Sequence, residues 1–129
     1  MSPRQHDLGT AEFEVLKALW ELGPATVRDV LSALEAAGRR IAYTTVQTML
    51  TRLEQKGFVR SDKTGQAFVY RAVVSRERLS RSRLKKLLDQ LYDGAAGPLV
   101  LQLVRTQHLR PDEIEELQRI IDRLDQEGS

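Results

Sequence analysis

The chain has 129 residues, of which 41% are hydrophobic and 5% aromatic, and its formal net charge is +2. This length suits one domain, or a small domain with an accessory arm, around a mainly aliphatic core. Because the sequence has no cysteine, disulfides, thiolate catalysis and cysteine metal sites are excluded. It has neither an apolar run of roughly 18 residues nor a secretory leader pattern, so we expect a cytoplasmic protein without membrane insertion.

Three segments with helical periodicity occupy the first part of the chain. Apolar residues at helical spacing predict a helix over 10–22, which a Gly-Pro pair ends. A second helix is expected to begin at Thr26, whose hydroxyl and the Asp29 carboxylate fit a capping box, and to end near Gly38. A third helix is predicted over 42–56.

The predicted third helix has an apolar and a polar face. Its apolar stripe consists of Val46, Met49, Leu50 and Leu53. Its opposite face carries Thr44, Gln47, Thr48, Thr51 and Arg52. Threonine is a mediocre helix former, and a merely solvated face would be expected to carry Glu and Lys, so these residue types favour a ligand-binding face. The alternatives are an ordinary solvated face and a capping box formed by Thr44 and Gln47.

After the third helix the apolar period changes from helical to two. Strands are predicted over 58–62 and 67–71, joined by a turn at 63–66. Three helices followed by a hairpin form the winged-helix layout. We therefore predict a mainly α fold with a small two- to three-stranded β-wing, in which residues 1–73 form a winged-helix DNA-binding domain.

The polar helix face and the hairpin together suggest recognition of double-stranded DNA. In a helix-turn-helix unit the second helix enters the major groove, with its N-terminal residues at the base edges. Glutamine pairs with adenine, threonine touches the thymine methyl group, and arginine reaches guanine or phosphate. The predicted DNA-binding residues are Tyr43, Thr44, Thr45, Gln47, Thr48 and Arg52 in the helix, with Lys63 and Gln66 in the wing. For the hairpin, the alternative is a plain exposed hairpin without DNA contacts. For the winged helix as a whole, the alternative is a protein-interaction module that does not bind DNA.

Residues 74–129 are predicted to be helical again. Ser75 is a plausible N-cap for a helix ending near Gly94, and Pro98 and Pro111 are predicted to open two more helices. Because about 55 residues bury apolar stripes poorly alone, we interpret this part as a homodimerisation domain. Packing against the first domain of the same chain is the alternative. The predicted dimerisation residues are Leu87, Leu91, Leu99, Leu103, Ile114, Leu117, Ile121 and Leu124.

Charge is distributed unevenly in this second half. Residues 76–86 contain six basic side chains and one acidic one, whereas residues 112–127 contain seven acidic and two basic ones. The basic run either follows flanking phosphates or pairs with the acidic last helix, and the second interpretation is slightly favoured.

The sequence lacks the constellations that carry catalysis or bind metals. His6 and His108 have no partner at metal-ligand spacing, and there is no nucleophile elbow or glycine-rich phosphate loop. Glu12 and Glu14 are interpreted as solvated helix charges. We therefore expect no enzyme, no cofactor and no metal.

Three segments of the chain resemble the penicillinase repressor family: residues 8–20 (LGTAEFEVLKALW), 43–53 (YTTVQTMLTRL) and 68–70 (FVY). The resemblance covers about residues 8–126. It implies a homodimeric transcriptional repressor that binds a palindromic operator through a winged helix. It also implies release by a membrane-bound metalloprotease sensor, with cleavage between Gln102 and Leu103, where the better-studied members have Asn-Phe.

Overall fold

In a computed structural model, which describes residues 8–128, the chain forms six helices and three short strands. Their bounds are α1 Thr10–Leu22, β1 Ala25–Thr26, α2 Val27–Ala36, α3 Tyr43–Gln55, β2 Val59–Asp62, β3 Val69–Ala72, α4 Arg76–Tyr92, α5 Ala96–Thr106 and α6 Pro111–Glu127. The predicted mainly α fold with a small β-wing is confirmed.

The chain divides into two compact units. The first ends at Arg83 and the second begins at Leu84, so the division falls inside α4. The functional domain boundary predicted between residues 73 and 74 lies just before that helix and stays a prediction.

The ends of the first two helices follow the sequence signals. Gly23 ends α1 with a φ of 77°, a left-handed conformation that an L-residue adopts only with strain. Thr26 caps α2 as predicted: its hydroxyl accepts a hydrogen bond from the Asp29 amide at 3.1 Å, and the Asp29 carboxylate accepts one from the Thr26 amide at 3.0 Å. Gly23 and the Thr26 cap thus fix where α1 ends and where α2 begins.

The core of the first unit is aliphatic and lies between α1, α2, α3 and the hairpin. From α3 it receives Val46, Leu50 and Leu53, while Met49 is half-buried. Burial of such side chains stabilises the fold by about 1.5–3 kcal/mol each. With this apolar stripe packed inward, the opposite polar face of α3 is turned towards solvent.

The hairpin belongs to a three-stranded antiparallel sheet in the order β1-β3-β2. Strand β1 was not predicted, because two residues are too few to show a period of two. It pairs with β3 through Ala25 opposite Tyr70 and Thr26 opposite Val69. The two predicted strands are present with shifted ends, since residues 58, 67 and 68 lie outside them and Ala72 lies inside.

The helices within residues 74–129 agree with the prediction except at one start. Ser75 caps α4, because its hydroxyl accepts a hydrogen bond from the Arg78 amide at 3.0 Å. Pro111 opens α6 as predicted, but α5 begins at Ala96, so Pro98 is its third residue rather than its first. A first-turn proline is tolerated there because its missing N–H would have no helical acceptor. Across residues 8–128, no helix is both long and apolar enough to cross a membrane.

Candidate nucleic-acid interface

Helix α3 starts without side-chain capping. Its N-cap is Ala42, so Thr44 is the second helical residue. The alternative in which Thr44 and Gln47 form a capping box is therefore wrong. Both side chains are exposed and have no capping role.

The exposed threonines of α3 bond back to the helix. The Thr48 hydroxyl donates to the Thr44 carbonyl oxygen at 2.9 Å, and the Thr51 hydroxyl donates to the Gln47 carbonyl oxygen at 3.0 Å. This pattern occupies the hydroxyl proton, and the hydroxyl oxygen keeps acceptor capacity. The threonines therefore offer methyl groups and acceptors to a ligand rather than free donors.

A groove of about 560 Å³ lies between α2, the start of α3 and the hairpin. It brings together three predicted site residues, Tyr43, Gln47 and Gln66. A second, shallower groove on α3 is lined by Gln47, Thr48, Thr51, Arg52 and Gln55. Gln47 belongs to both grooves and so lies at the centre of the polar face. Thr45 and Lys63 are exposed but line neither groove.

Arg28 in the first turn of α2 was missed by the sequence analysis. Its guanidinium carbon lies 5.3 Å from the centre of the Tyr43 ring, and Arg28 lines the same groove as Gln47. The signal was available, because the helix dipole disfavours a positive charge in a first turn. In the structure, Arg28 places its positive charge beside Tyr43 and Gln47 in this groove.

The hairpin opposes like charges on its exposed face. Arg60 and Arg71 are direct partners in the β2–β3 register, and both are exposed. Like charges directly opposite each other in a sheet are destabilising. Near the turn, the Lys63 ammonium lies 5.4 Å from the centre of the exposed Phe68 ring. The Asp62 carboxylate instead accepts hydrogen bonds from the Thr64 amide and hydroxyl at 2.9 and 2.6 Å.

Glu12 is not the solvated charge that the sequence suggested. It is only 5% exposed, and its carboxylate oxygen lies 2.6 Å from the Lys56 ammonium and accepts the Gly9 amide at 3.0 Å. Burial raises the pKa of Glu12, but the hydrogen bonds from Lys56 and Gly9 and the charges of Lys56 and Arg52 outweigh it. The pKa of Glu12 is therefore lowered. Glu14 also has a partner, since it forms an ion pair with Arg39 at 3.2 Å.

A second carboxylate joins the end of α3 to the wing. Glu54 accepts hydrogen bonds from the Ser61 hydroxyl at 2.7 Å and from the Ser61 amide at 3.0 Å. These bonds, chiefly the one from the hydroxyl, lower the pKa of Glu54. The only acidic side chain of α3 is thus engaged with strand β2.

The lowered pKa of Glu12 predicts a loss of stability in acid. A carboxylate with a depressed folded-state pKa stabilises the fold above its ordinary pKa of 4.5, and this stabilisation is lost as the pH falls through the folded-state value. We expect Glu12→Gln to be less stable than wild type at neutral pH, with the difference shrinking below about pH 5. Urea unfolding between neutral pH and pH 3 measures this, and a difference that is constant across the range would contradict it.

In the second unit, the residues predicted to form the dimer interface are largely exposed in the single chain. Leu91 is 67% exposed and Leu124 61%, and neither α5 nor α6 has a buried residue. Leu87, Leu103, Ile114 and Ile121 are also exposed, and Leu99 and Leu117 are half-buried.

The predicted cleavage site lies within α5. Gln102 and Leu103 are both exposed helical residues. The Tyr92 hydroxyl donates to the Gln102 side-chain oxygen at 2.6 Å, and the Thr106 hydroxyl donates to the Gln102 carbonyl at 2.6 Å. These bonds hold the peptide in helical form.

Two other sequence interpretations concern charged residues outside these surfaces. His108 is exposed, whereas His6 lies outside the described residues. In the basic run, Arg81 pairs with Glu77 and Lys85 pairs with Asp89, both along α4. The choice between phosphate and the acidic last helix as its partner stays open.

Three packed helices, an exposed polar α3 and a three-stranded wing define a winged-helix transcription regulator. The family described as Penicillinase repressor matches residues 8–123. The chain belongs to the penicillinase repressor family. It is a DNA-binding transcriptional repressor and not an enzyme.

Two relatives by sequence support this assignment. The chain is 28% identical to the methicillin resistance regulatory protein MecI of Mammaliicoccus sciuri, covering 95% of this chain and 99% of the relative. It is 34% identical to the transcriptional regulator BlaI of Mycobacterium tuberculosis, covering 92% of this chain and 85% of the relative. Among solved structures, a MarR family protein from Bacillus stearothermophilus is similar with a TM-score of 0.48 and 19% identity, covering 97% of this chain and 82% of that one.

Proposed function

We propose that this repressor binds a palindromic operator as a homodimer and inserts α3 of each protomer into the major groove. The observation that carries the proposal is the exposed polar face of α3. Its residues have no capping role, and the one carboxylate of α3, that of half-buried Glu54, bonds to the wing. A face of this composition matches the donor, acceptor and methyl pattern of base edges.

Each predicted DNA-binding residue has a role in this arrangement. Gln47, at the centre of the face, pairs with an adenine edge, and Thr44 and Thr45 contact thymine methyl groups or base acceptors and donors. Thr48, whose hydroxyl proton is bonded to the Thr44 carbonyl oxygen, contacts a thymine methyl group or a base donor. Arg52, one turn later, reaches guanine or phosphate. Tyr43, with Arg28 stacked on its ring, contacts the backbone at the helix start.

The wing supplies further contacts to the DNA backbone. Lys63 and Gln66 flank the hairpin turn, and Gln66 shares a groove with Gln47. Placing Arg60 opposite Arg71 destabilises the free sheet, and a nearby phosphate would offset this repulsion. We assign both arginines to phosphate contacts.

We propose that residues 74–129 hold the dimer together. The support is the exposure of apolar side chains along α4, α5 and α6, since large exposed apolar patches mark interaction surfaces. A second copy of the same chain is the partner, because symmetric homodimers are the commonest oligomers and a palindromic operator has the same two-fold symmetry.

Release from DNA is proposed to follow cleavage between Gln102 and Leu103 by a membrane-bound metalloprotease sensor. Because this peptide bond is helical and held by Tyr92 and Thr106, local unwinding of α5 must precede cleavage. Mass spectrometry of the fragments that form in the presence of the sensor tests the cleavage site. A new terminus elsewhere in residues 74–129 would contradict it.

Operator binding itself is tested by gel shift with the DNA upstream of the repressor's own gene. We expect a specific complex whose log affinity falls linearly with log salt, by about 0.9 for each phosphate contacted, because lysine and arginine displace counterions. A scrambled fragment of equal length is the control. If no specific shift forms at moderate salt, the protein-interaction module becomes the better explanation.

A further inference from the structure

The Glu12–Lys56 pair is the one place in the described chain where a charged side chain lies in the core of the first unit. Glu12 is the only buried polar residue among residues 8–128, and Lys56 is the C-cap of α3. The pair therefore links the start of α1 to the end of the proposed recognition helix. Its ammonium-to-carboxylate distance of 2.6 Å leaves no room for water between them.

Such a pair is poorly explained as a source of stability. Removing two charges from water costs about as much as their attraction returns, and apolar residues of similar volume are often as stable or more so. What a buried pair supplies instead is a defined registry, because each charge is satisfied in only one relative placement of its two elements. Here the two elements are α1 and α3.

The second attachment of α3 lies at the same end. Glu54, two residues before Lys56, is bonded to Ser61 of β2 through both the amide and the hydroxyl. The last turn of α3 is thus tied to α1 by Lys56 and to the wing by Glu54. In addition, the positive charge of Arg52, one turn earlier, acts on Glu12. The N-terminal part of α3 has no side-chain cap, and the ring of its first residue, Tyr43, contacts Arg28 of α2.

We propose that Glu12 and Lys56 are positioning residues for operator recognition. The pair fixes the rotation and tilt of α3 against α1, while Glu54 and Ser61 fix the wing against α3. Gln47 and Gln66 then meet one stretch of DNA in a single geometry. This inference rests on the proposed function of α3 as the base-reading helix.

The test replaces the pair by a neutral one of similar size, Glu12→Gln with Lys56→Met. Glutamine still accepts the Gly9 amide, and no lone charge is left in the core. We expect thermal stability close to wild type but a loss of about tenfold in the ratio of operator to random-DNA affinity, equivalent to one base contact out of alignment. The single variant Lys56→Arg, in which Glu12 still has a cationic partner, should keep most of the wild-type affinity ratio.

The matched control is Glu14→Gln with Arg39→Met, which removes another ion pair of α1 that does not reach α3. It should leave the affinity ratio unchanged. A wild-type ratio in the Glu12→Gln, Lys56→Met protein would overturn the proposal. An equal loss on operator and random DNA would also overturn it, because that result indicates removal of a phosphate contact. A variant with alanine at every predicted base-contacting position of α3 separates the two hypotheses: if it too leaves the ratio unchanged, the proposed role of α3 fails instead. These positions are Thr44, Thr45, Gln47, Thr48 and Arg52.

Discussion

Removing residues 103–129 is expected to lower operator affinity by about 10²–10⁴-fold, because joining two half-site contacts in one molecule raises the effective concentration of the second. The truncated chain ends at Gln102 and is therefore the same as the N-terminal fragment that the proposed cleavage would release. It lacks α6 and the last turn of α5, which carry six of the eleven exposed large apolar side chains of residues 84–128. Helix α3 lies in the first compact unit, and the truncation removes none of the core residues of that unit.

Two measurements on the same samples check this expectation. Light scattering at micromolar concentration should give a dimer for the whole chain and a monomer for the truncated one, and titration of a labelled operator should show the matching loss. Truncation that removes the dimer but leaves operator affinity intact would disprove the coupling. A monomeric whole chain would reject the dimer altogether.

A point substitution distinguishes the effect of losing the dimer interface from the effect of losing residues 103–129 altogether. Ile121 is on the apolar stripe of α6 and is 55% exposed in the single chain, whereas Gln126 is an exposed polar residue of the same helix. Ile121→Asp should weaken the dimer, because a carboxylate buried without a partner is costly. Gln126→Asp introduces the same charge away from the stripe and should leave the dimer unchanged.

The sequence was most informative where local rules decide the structure. The Thr26 cap, the end of α1 at a Gly-Pro pair and the apolar stripe of α3 each depend on residues close together in the chain, so periodicity and capping residues predicted them. The predicted α3 boundaries, 42–56, differ by one residue at each end from Tyr43–Gln55. The polar face of that helix, and hence the candidate interface, followed directly.

Features that depend on distant partners were not predictable in this way. Glu12 and Lys56 are 44 positions apart, and nothing near Glu12 in sequence distinguishes a buried carboxylate from a solvated one. Strand β1 is two residues long and exists only because β3 pairs with it. The contact of Arg28 with Tyr43 likewise depends on how α2 and α3 pack.

Gln47→Ala is expected to reduce discrimination at one operator base pair by about 1–3 kcal/mol, or roughly one to two orders of magnitude in affinity ratio. Gln47 lines both grooves of the proposed reading surface, and its exposed side-chain amide can form the two hydrogen bonds that an adenine edge offers. Alanine is a better helix former than glutamine, so stability should not fall. The Thr51 hydroxyl keeps its bond, because its acceptor is the backbone carbonyl of residue 47.

The measurement compares wild type and variant on the operator and on versions altered at single base pairs. Wild type should lose affinity at the pair that Gln47 reads, whereas the variant should bind both versions of that pair almost equally. Gln126→Ala is the control: it removes the same exposed side chain from α6, outside both grooves, and should leave discrimination intact. Equal loss by Gln47→Ala on operator and random DNA would instead assign Gln47 to the backbone. Base reading would then rest on Arg52 and the threonines.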